Sequence, residues 1–314
     1  LFQCHRRNME KMAEAVSGSH YQRLHHMLSE SSWNRSGVRQ QLIADANNHF
    51  GYASALVIDE SAFAKKGEMS AGVARQWNGC LGKTDNSQVG VFAAVVRDRV
   101  AALVEGELYI PEEWFADPAR CREAGIPEGS EFCTKGEMAL NMIHRLRREG
   151  LRFSHVVFDA GYGHLPWLLR ALEGEGETFL AEIHADQAIY LSDPAPAVPV
   201  RQSTRGKTPC RLQAQITPLT VTAWAMTQPA SRWCRLSVRE GEKGAVVADY
   251  LKQRVWLWDG VEQQARCWHL LVRREIGGTK LKFCLANAKP EASLRRLAEM
   301  QVARHFVERA FEDA

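Results

Sequence analysis

Residues Ala55–Gly67 read ALVIDESAFAKKG. An apolar run, Leu56-Val57-Ile58, stops on two adjacent carboxylates, Asp59 and Glu60, and a lysine pair, Lys65 and Lys66, follows. A short continuous apolar run between polar flanks is the pattern of a strand buried on both faces. The texture returns at Ser154–Gly163, SHVVFDAGYG, where Val156-Val157-Phe158 stops on Asp159. Open α/β sheets collect their ligands at the carboxyl ends of strands. If these two strands are adjacent and parallel, both carboxylates reach the same edge of the sheet.

The neighbouring segments supply the rest of such a sheet. VGVFAAVVRD and VAALVEGELYI read as two further strands, KGEMALNMIHRLRREG as an amphipathic helix closed at Gly150, HLPWLLRALEGEG as a second helix, and TFLAEI as a fifth strand. The basic residues late in the first helix suit its dipole. Three strands, a helix, a strand, a helix and a strand give an α/β class with a partly parallel sheet. Residues 1–50 carry apolar residues at helical spacing and read as a helical region, with DNA contact one possible use. From 184 to 265 the sequence turns rich in proline and turn residues, with short β-like runs such as RLQAQIT and QRVWLWDG; Trp256 and Trp258 alternate there and share a strand face. Residues 266–314 return to paired strands, CWHLLVRRE and KLKFCLANA, and then one long helix with Pro290 near its first turn. The expected organisation is therefore a helical region (1–50), a core (51–183), a β-rich basic insertion (184–265) and a completing core segment (266–314).

Composition narrows the function classes. The 314 residues are 45% hydrophobic and 25% charged, ordinary values for a globular chain. No apolar run approaches the ~18 residues of a membrane-spanning helix. The N-terminus lacks a signal-peptide layout, and a chain beginning on Leu1 reads as a piece of a longer protein. The eight cysteines are scattered without a C-x-x-C pair, which suits reduced core thiols. The net charge of +3 says little, but its distribution says more. Pro194–Arg239 holds seven Lys/Arg and no acid, where the chain average would place roughly five. A face kept free of negative charge suits phosphate.

Two carboxylates held together repel each other unless a cation separates them, and hard divalent ions favour such oxygen ligands. A third acid is available on the C-terminal helix, where Arg304, Glu308 and Glu312 are spaced four apart and would share one face, directed at the strand ends. Three acids around two metal ions can drive phosphoryl transfer. Lys65, Lys66, Arg75 and Lys83 are candidates to clamp phosphates near the scissile bond. Arg201, Arg205, Lys207 and Arg211 are candidates for backbone contacts, which position DNA without reading its sequence. His164 follows Asp159 and is a candidate to approach the metals.

These blocks together resemble a known family. VIDESAFAKKGEMSAGVARQWNGCLGKTDNSQVGV is similar to the first catalytic block of bacterial insertion-sequence transposases of the DDE type, VVFDAGYG to their second Asp block, and ARHFVERAFEDA to their Glu block. RRNMEKMAEAV and YQRLHHMLSESSW resemble their helical N-terminal region. The resemblance implies a ribonuclease H-like core with a β-rich insertion, and Asp59, Asp159 and Glu308 as the catalytic, metal-binding acids. It implies Mg²⁺ or Mn²⁺, two ions, as cofactor, and Arg304 as the family's arginine before the Glu and a further DNA-binding residue. It further implies DNA, both element ends and target, as partner, a homodimer on DNA, no membrane, and a bacterial cytoplasmic, nucleoid-associated location. The family's Tyr three residues before the Arg is Gln301 here. Three alternatives stay open: a ribonuclease H-like nuclease or resolvase without strand transfer, a non-catalytic DNA-binding remnant, and, more distantly, a two-carboxylate hydrolase without metal.

Overall fold

The computed structural model describes residues 9–16, 18–32, 34–201, 208–241 and 244–313. The chain forms two compact units, Leu1–Leu42 and Ile43–Ala314. The first holds α1 (Met9–Ala15), α2 (Tyr21–Ser29) and the opening turns of α3 (Arg35–His49).

The second unit is organised on one ten-stranded sheet. Its first strands are β1 (Ala55–Ala64), β2 (Ala74–Asn78), β3 (Lys83–Arg97) and β4 (Val100–Tyr109). After α4 (Pro118–Glu123) and α5 (Lys135–Arg148) come β5 (His155–Phe158), α6 (Ala160–Gly163), α7 (Pro166–Gly174) and β6 (Phe179–Ile183). The short strands β7 (Ala188–Ile189) and β8 (Leu219–Thr220) form a separate pair, followed by α8 (Val221–Met226). The chain then returns with β9 (Cys234–Gly241), β10 (Gly244–Leu257), β11 (Arg266–Glu275) and β12 (Leu281–Ala286), and ends in α9 (Leu294–Val302) and α10 (His305–Asp313). Strand order is β2-β3-β1-β5-β6-β12-β11-β10-β9, with β4 also on β3. β1, β5 and β6 are parallel to one another, and the remaining pairings are antiparallel. The mixed sheet flanked by helices agrees with the α/β, ribonuclease H-like class expected from sequence.

Alternation along the strands separates two cores. Leu56, Ile58, Val156, Phe158, Phe179 and Ala181 face one side, with α5 and α7. Ala55, Val57, Val157, Leu180, Cys284 and Ala286 face the other, with α9 and α10. Asp59, Asp159 and Glu182 continue the second set by parity, so all three belong to the face that α9 and α10 cover.

Several elements differ from the sequence reading. β1 does not end at Asp59. It loses its parallel partner β5 after Ile58 and runs on to Ala64 against β3 alone. β2, not anticipated, pairs with β3 and lies in line with β4 along that strand's far edge. RLQAQIT forms no strand; it offers one isolated bridge, Gln213 to Ala197. Trp258 lies past the end of β10 and spends its indole N–H on the Glu262 carbonyl at 2.7 Å. Of the described cysteines only Cys284 is buried, and none is disulfide-bonded.

The long C-terminal helix is two helices. Ser293, not Pro290, opens α9 by capping the Arg296 amide at 3.1 Å. The break falls at Ala303–Arg304 because the apolar stripe changes phase. Leu297, Ala298, Met300 and Gln301 are buried on α9. At 100° per residue a straight continuation would bury Arg304, His305 and Glu308. The buried residues are instead Phe306, Val307 and Ala310, roughly half a turn away. Breaking the helix buries the apolar set and leaves His305 and Glu308 exposed.

Candidate active site

Ile58 and Phe158 are register partners on parallel strands, so Asp59 and Asp159 leave the pairing side by side. Each carboxylate is oriented by backbone. Asp59 Oδ1 accepts from the Glu60 amide at 2.8 Å. Asp159 caps α6, its Oδ1 accepting from the amides of Gly161 at 2.9 Å and Tyr162 at 3.3 Å. The second block's glycines have a steric reason. A Cβ on Gly163 would stand 1.8 Å from the Glu182 carbonyl oxygen, so only glycine lets α6 lie this close to β6.

Asp59 is 9% exposed. Burial pushes its carboxyl up to about 6; Arg304 pulls the other way, and the neighbouring charge of Asp159 adds to the rise. Arg304, from the α9–α10 junction, brings Nη2 to 3.7 Å from Asp59 Oδ2 and Nη1 to 3.5 Å from Glu182 Oε2. Burial opposes its charge, yet Asp59, Glu182, Asp159 and Glu308 hold its pKa above the ordinary guanidinium value. Gln301, buried beside them, donates to Cys284 Sγ at 3.1 Å. On the opposite face Glu60 pairs with Lys135 at 2.5 Å, and burial raises the pKa of Tyr162 there, with Glu60 adding to the rise.

The structure thus brings Asp59, Asp159 and Arg304 together. Glu308 is exposed on α10, and its charge reaches Arg304. Among the described residues no three His, Cys, Asp or Glu side chains gather closely enough to hold a metal ion. Asp59 and Asp159 alone nonetheless suit one hard cation of the Mg²⁺ type, which keeps most of its water and takes one or two protein carboxylates.

The basic candidates are dispersed. Lys65 and Lys66 follow the β1–β3 ribbon, and six residues at about 3.3 Å each place Lys65 roughly 20 Å along the strand from Asp59. Arg75 is exposed on edge strand β2. Lys83 pairs with Asp85 at 2.9 Å. Arg201 and Arg211 are exposed, while Arg205 and Lys207 lie outside the described residues. The acid-free stretch is not free of acids in space, since Arg235 meets Asp249 of β10 at 3.0 Å. His164 stacks near His184, ring centroids 6.0 Å apart, with Nδ1 3.1 Å from the Ala160 carbonyl. Sequence reasoning missed Glu182. Its signal was the one used for Asp59, an acid near the end of an apolar strand on the same parity.

The profile of the DDE superfamily endonucleases matches residues 1–245. A Microchaete diplosiphon protein described as "Probable transposase for insertion sequence element IS701" is 32% identical over 161 residues, 50% of this chain and 39% of that protein. The chain therefore spans about two fifths of the curated relative that it matches. Among solved structures, the NurA nuclease from Sulfolobus solfataricus aligns over 93% of this chain and 90% of its own, at 8% identity and a TM-score of 0.34, a likeness too slight to bear on the fold. With the profile covering most of its length, the chain belongs to the DDE superfamily endonucleases, whose chemistry depends on divalent metal.

Proposed function

We propose that this chain carries the catalytic core of an insertion-sequence DNA transposase. The observation that carries the reading is the side-by-side placement of Asp59 and Asp159 where β1 and β5 part, under the α9–α10 junction. The transposase name of the Microchaete relative supports the same reading.

In this proposal Asp59 and Asp159 hold the divalent cation, Mg²⁺ or Mn²⁺, and Glu308 joins them for a second ion. The bound metal supplies Lewis acidity toward a phosphodiester. The chain's own part is positional. Backbone amides fix both Asp carboxylates, the sheet holds them rigidly, and Arg304 stands beside Asp59, where it also meets the DNA. Water attacks the phosphorus, the 3′ oxygen leaves as a hydroxyl, and that 3′-OH then attacks a phosphodiester of target DNA, without a covalent protein–DNA intermediate. Lys65, Lys66, Arg75 and Lys83 contact phosphates flanking the scissile bond, and Arg201, Arg205, Lys207 and Arg211 contact more distant backbone. Residues 1–50 contact DNA, 184–265 form a basic insertion between the core segments 51–183 and 266–314, and two chains bring two DNA ends together in the bacterial nucleoid.

The test is a Mn²⁺-supported reaction on duplexes bearing the ends of the element, resolved into nicked and joined products. Wild-type protein should give both, and Asp159→Ala should lose both by at least ~10³-fold, as befits removal of a metal-holding acid. Nicks without joined products would make the protein a nuclease, and undiminished activity in the variant would end the proposal.

A further inference from the structure

Arg304 stands between two acids and is committed to neither. Its contacts with Asp59 and Glu182, 3.7 and 3.5 Å, are both longer than the 2.7–2.9 Å of a tight charge-assisted hydrogen bond. Its Nε is buried without a hydrogen-bond partner. All three side chains are largely shielded, with 23% of the Arg304, 13% of the Asp59 and 19% of the Glu182 side chain exposed. A shielded charge must be compensated. Without a metal, Arg304 is the cation nearest Asp59. With a divalent ion on Asp59 and Asp159, the same guanidinium becomes a like charge at close range, and it needs another acid. Glu182 is the acid within reach. It lies on β6, the parallel neighbour of β5, on the same face of the sheet. Its other oxygen, Oε1, faces Lys282 at 3.9 Å, a loose contact.

We propose that Glu182 is a positioning residue that draws Arg304 away from Asp59 and so frees the Asp59–Asp159 pair for its divalent cation. The proposal rests on the reading that this pair holds the cation. Glu182 itself need not touch the ion. A short rotation of the guanidinium, from shared contact to Glu182 alone, exchanges one countercharge of Asp59 for another.

The measurement is Mn²⁺ affinity by calorimetry on the full chain, without DNA and without turnover. It compares wild type, Glu182→Gln, Arg304→Gln, the double variant and Asp159→Asn, each checked for an unchanged circular dichroism spectrum. Glu182→Gln should weaken Mn²⁺ binding about five-fold or more, because Arg304 is left to Asp59 alone. In the Arg304→Gln background the same change should have little effect, the coupling expected of groups in one ion-pair network. Glu182→Asp, which keeps the charge but retracts it, is the variant to use if the amide does not fold; its loss should be smaller and have the same dependence on Arg304. An equal loss with and without Arg304 would make Glu182 a direct participant in ion binding and overturn the proposal. So would no loss in either background while Asp159→Asn still weakens binding. Unchanged affinity in Asp159→Asn would overturn the cation site itself, and the proposal with it.

Discussion

Asp59 is an acid whose surroundings favour its neutral form. Its pKa of about 6 in the folded chain compares with 3.8 unperturbed, so between those values the folded state binds more protons than the unfolded one. Stability contributed by the protonated form is complete below the lower value and is lost as pH rises through the upper one. In metal-free protein, Asp59→Asn should therefore flatten the pH dependence of stability between about pH 4 and 7. The variant should finish ahead of wild type at neutral pH by up to about 3 kcal/mol, a shift of roughly two units at 1.36 kcal/mol each. Urea denaturation in the presence of a chelator reads this directly; parallel curves for the two proteins would refute it. Asp59, Asp159 and Arg304 announced themselves by following apolar runs or by matching a family block. Glu182 carried the same local signal, an acid near the end of TFLAEI, but its place beside the site follows only from β6 lying next to β5.

At the scale of elements, an aromatic contact at Phe311 adds to the buried face that Phe306, Val307 and Ala310 give α10. Phe92 is the register partner of Asp59 and lies flat across Gly90 and Gly106, where a Cβ would meet its ring at 2.6 Å in each case. Phe311 docks on it edge-on, ring centroids 5.3 Å apart. Phe311→Ala should cost about 1–3 kcal/mol, less than a fully buried phenylalanine. Amide exchange should speed up in α10 more than in β1 and β3. Uniform acceleration across all of these would show that α10 is not held by this contact. Strands and helices were mostly readable from periodicity, yet two boundaries were not. β1 outruns its apolar run because antiparallel pairing with β3 sustains it past Asp59. The C-terminal helix breaks because its two apolar stripes are out of phase, a feature visible only when burial is counted turn by turn.

For the second unit as a whole, the sheet is continuous from β2 to β9, so its centre is protected from both sides. Native-state hydrogen exchange should find the slowest amides in β1, β5, β6 and β12, and progressively faster ones toward the edge strands β2 and β9. Faster exchange in β5 and β6 than in β9 would contradict this layout. Asp59 lies on β1 and Asp159 directly follows β5, two of these central strands.

The sequence by itself determined the class of fold, the two strand-borne acids and the family, because buried strands and short motif blocks are local patterns. The tertiary structure decided the rest. Parallel pairing of β1 with β5 put two acids side by side, the phase break in the last helix left Glu308 exposed, and strand order brought Glu182 within reach of Arg304. These are relations between residues distant in the chain, and they are fixed by which surfaces can be buried together.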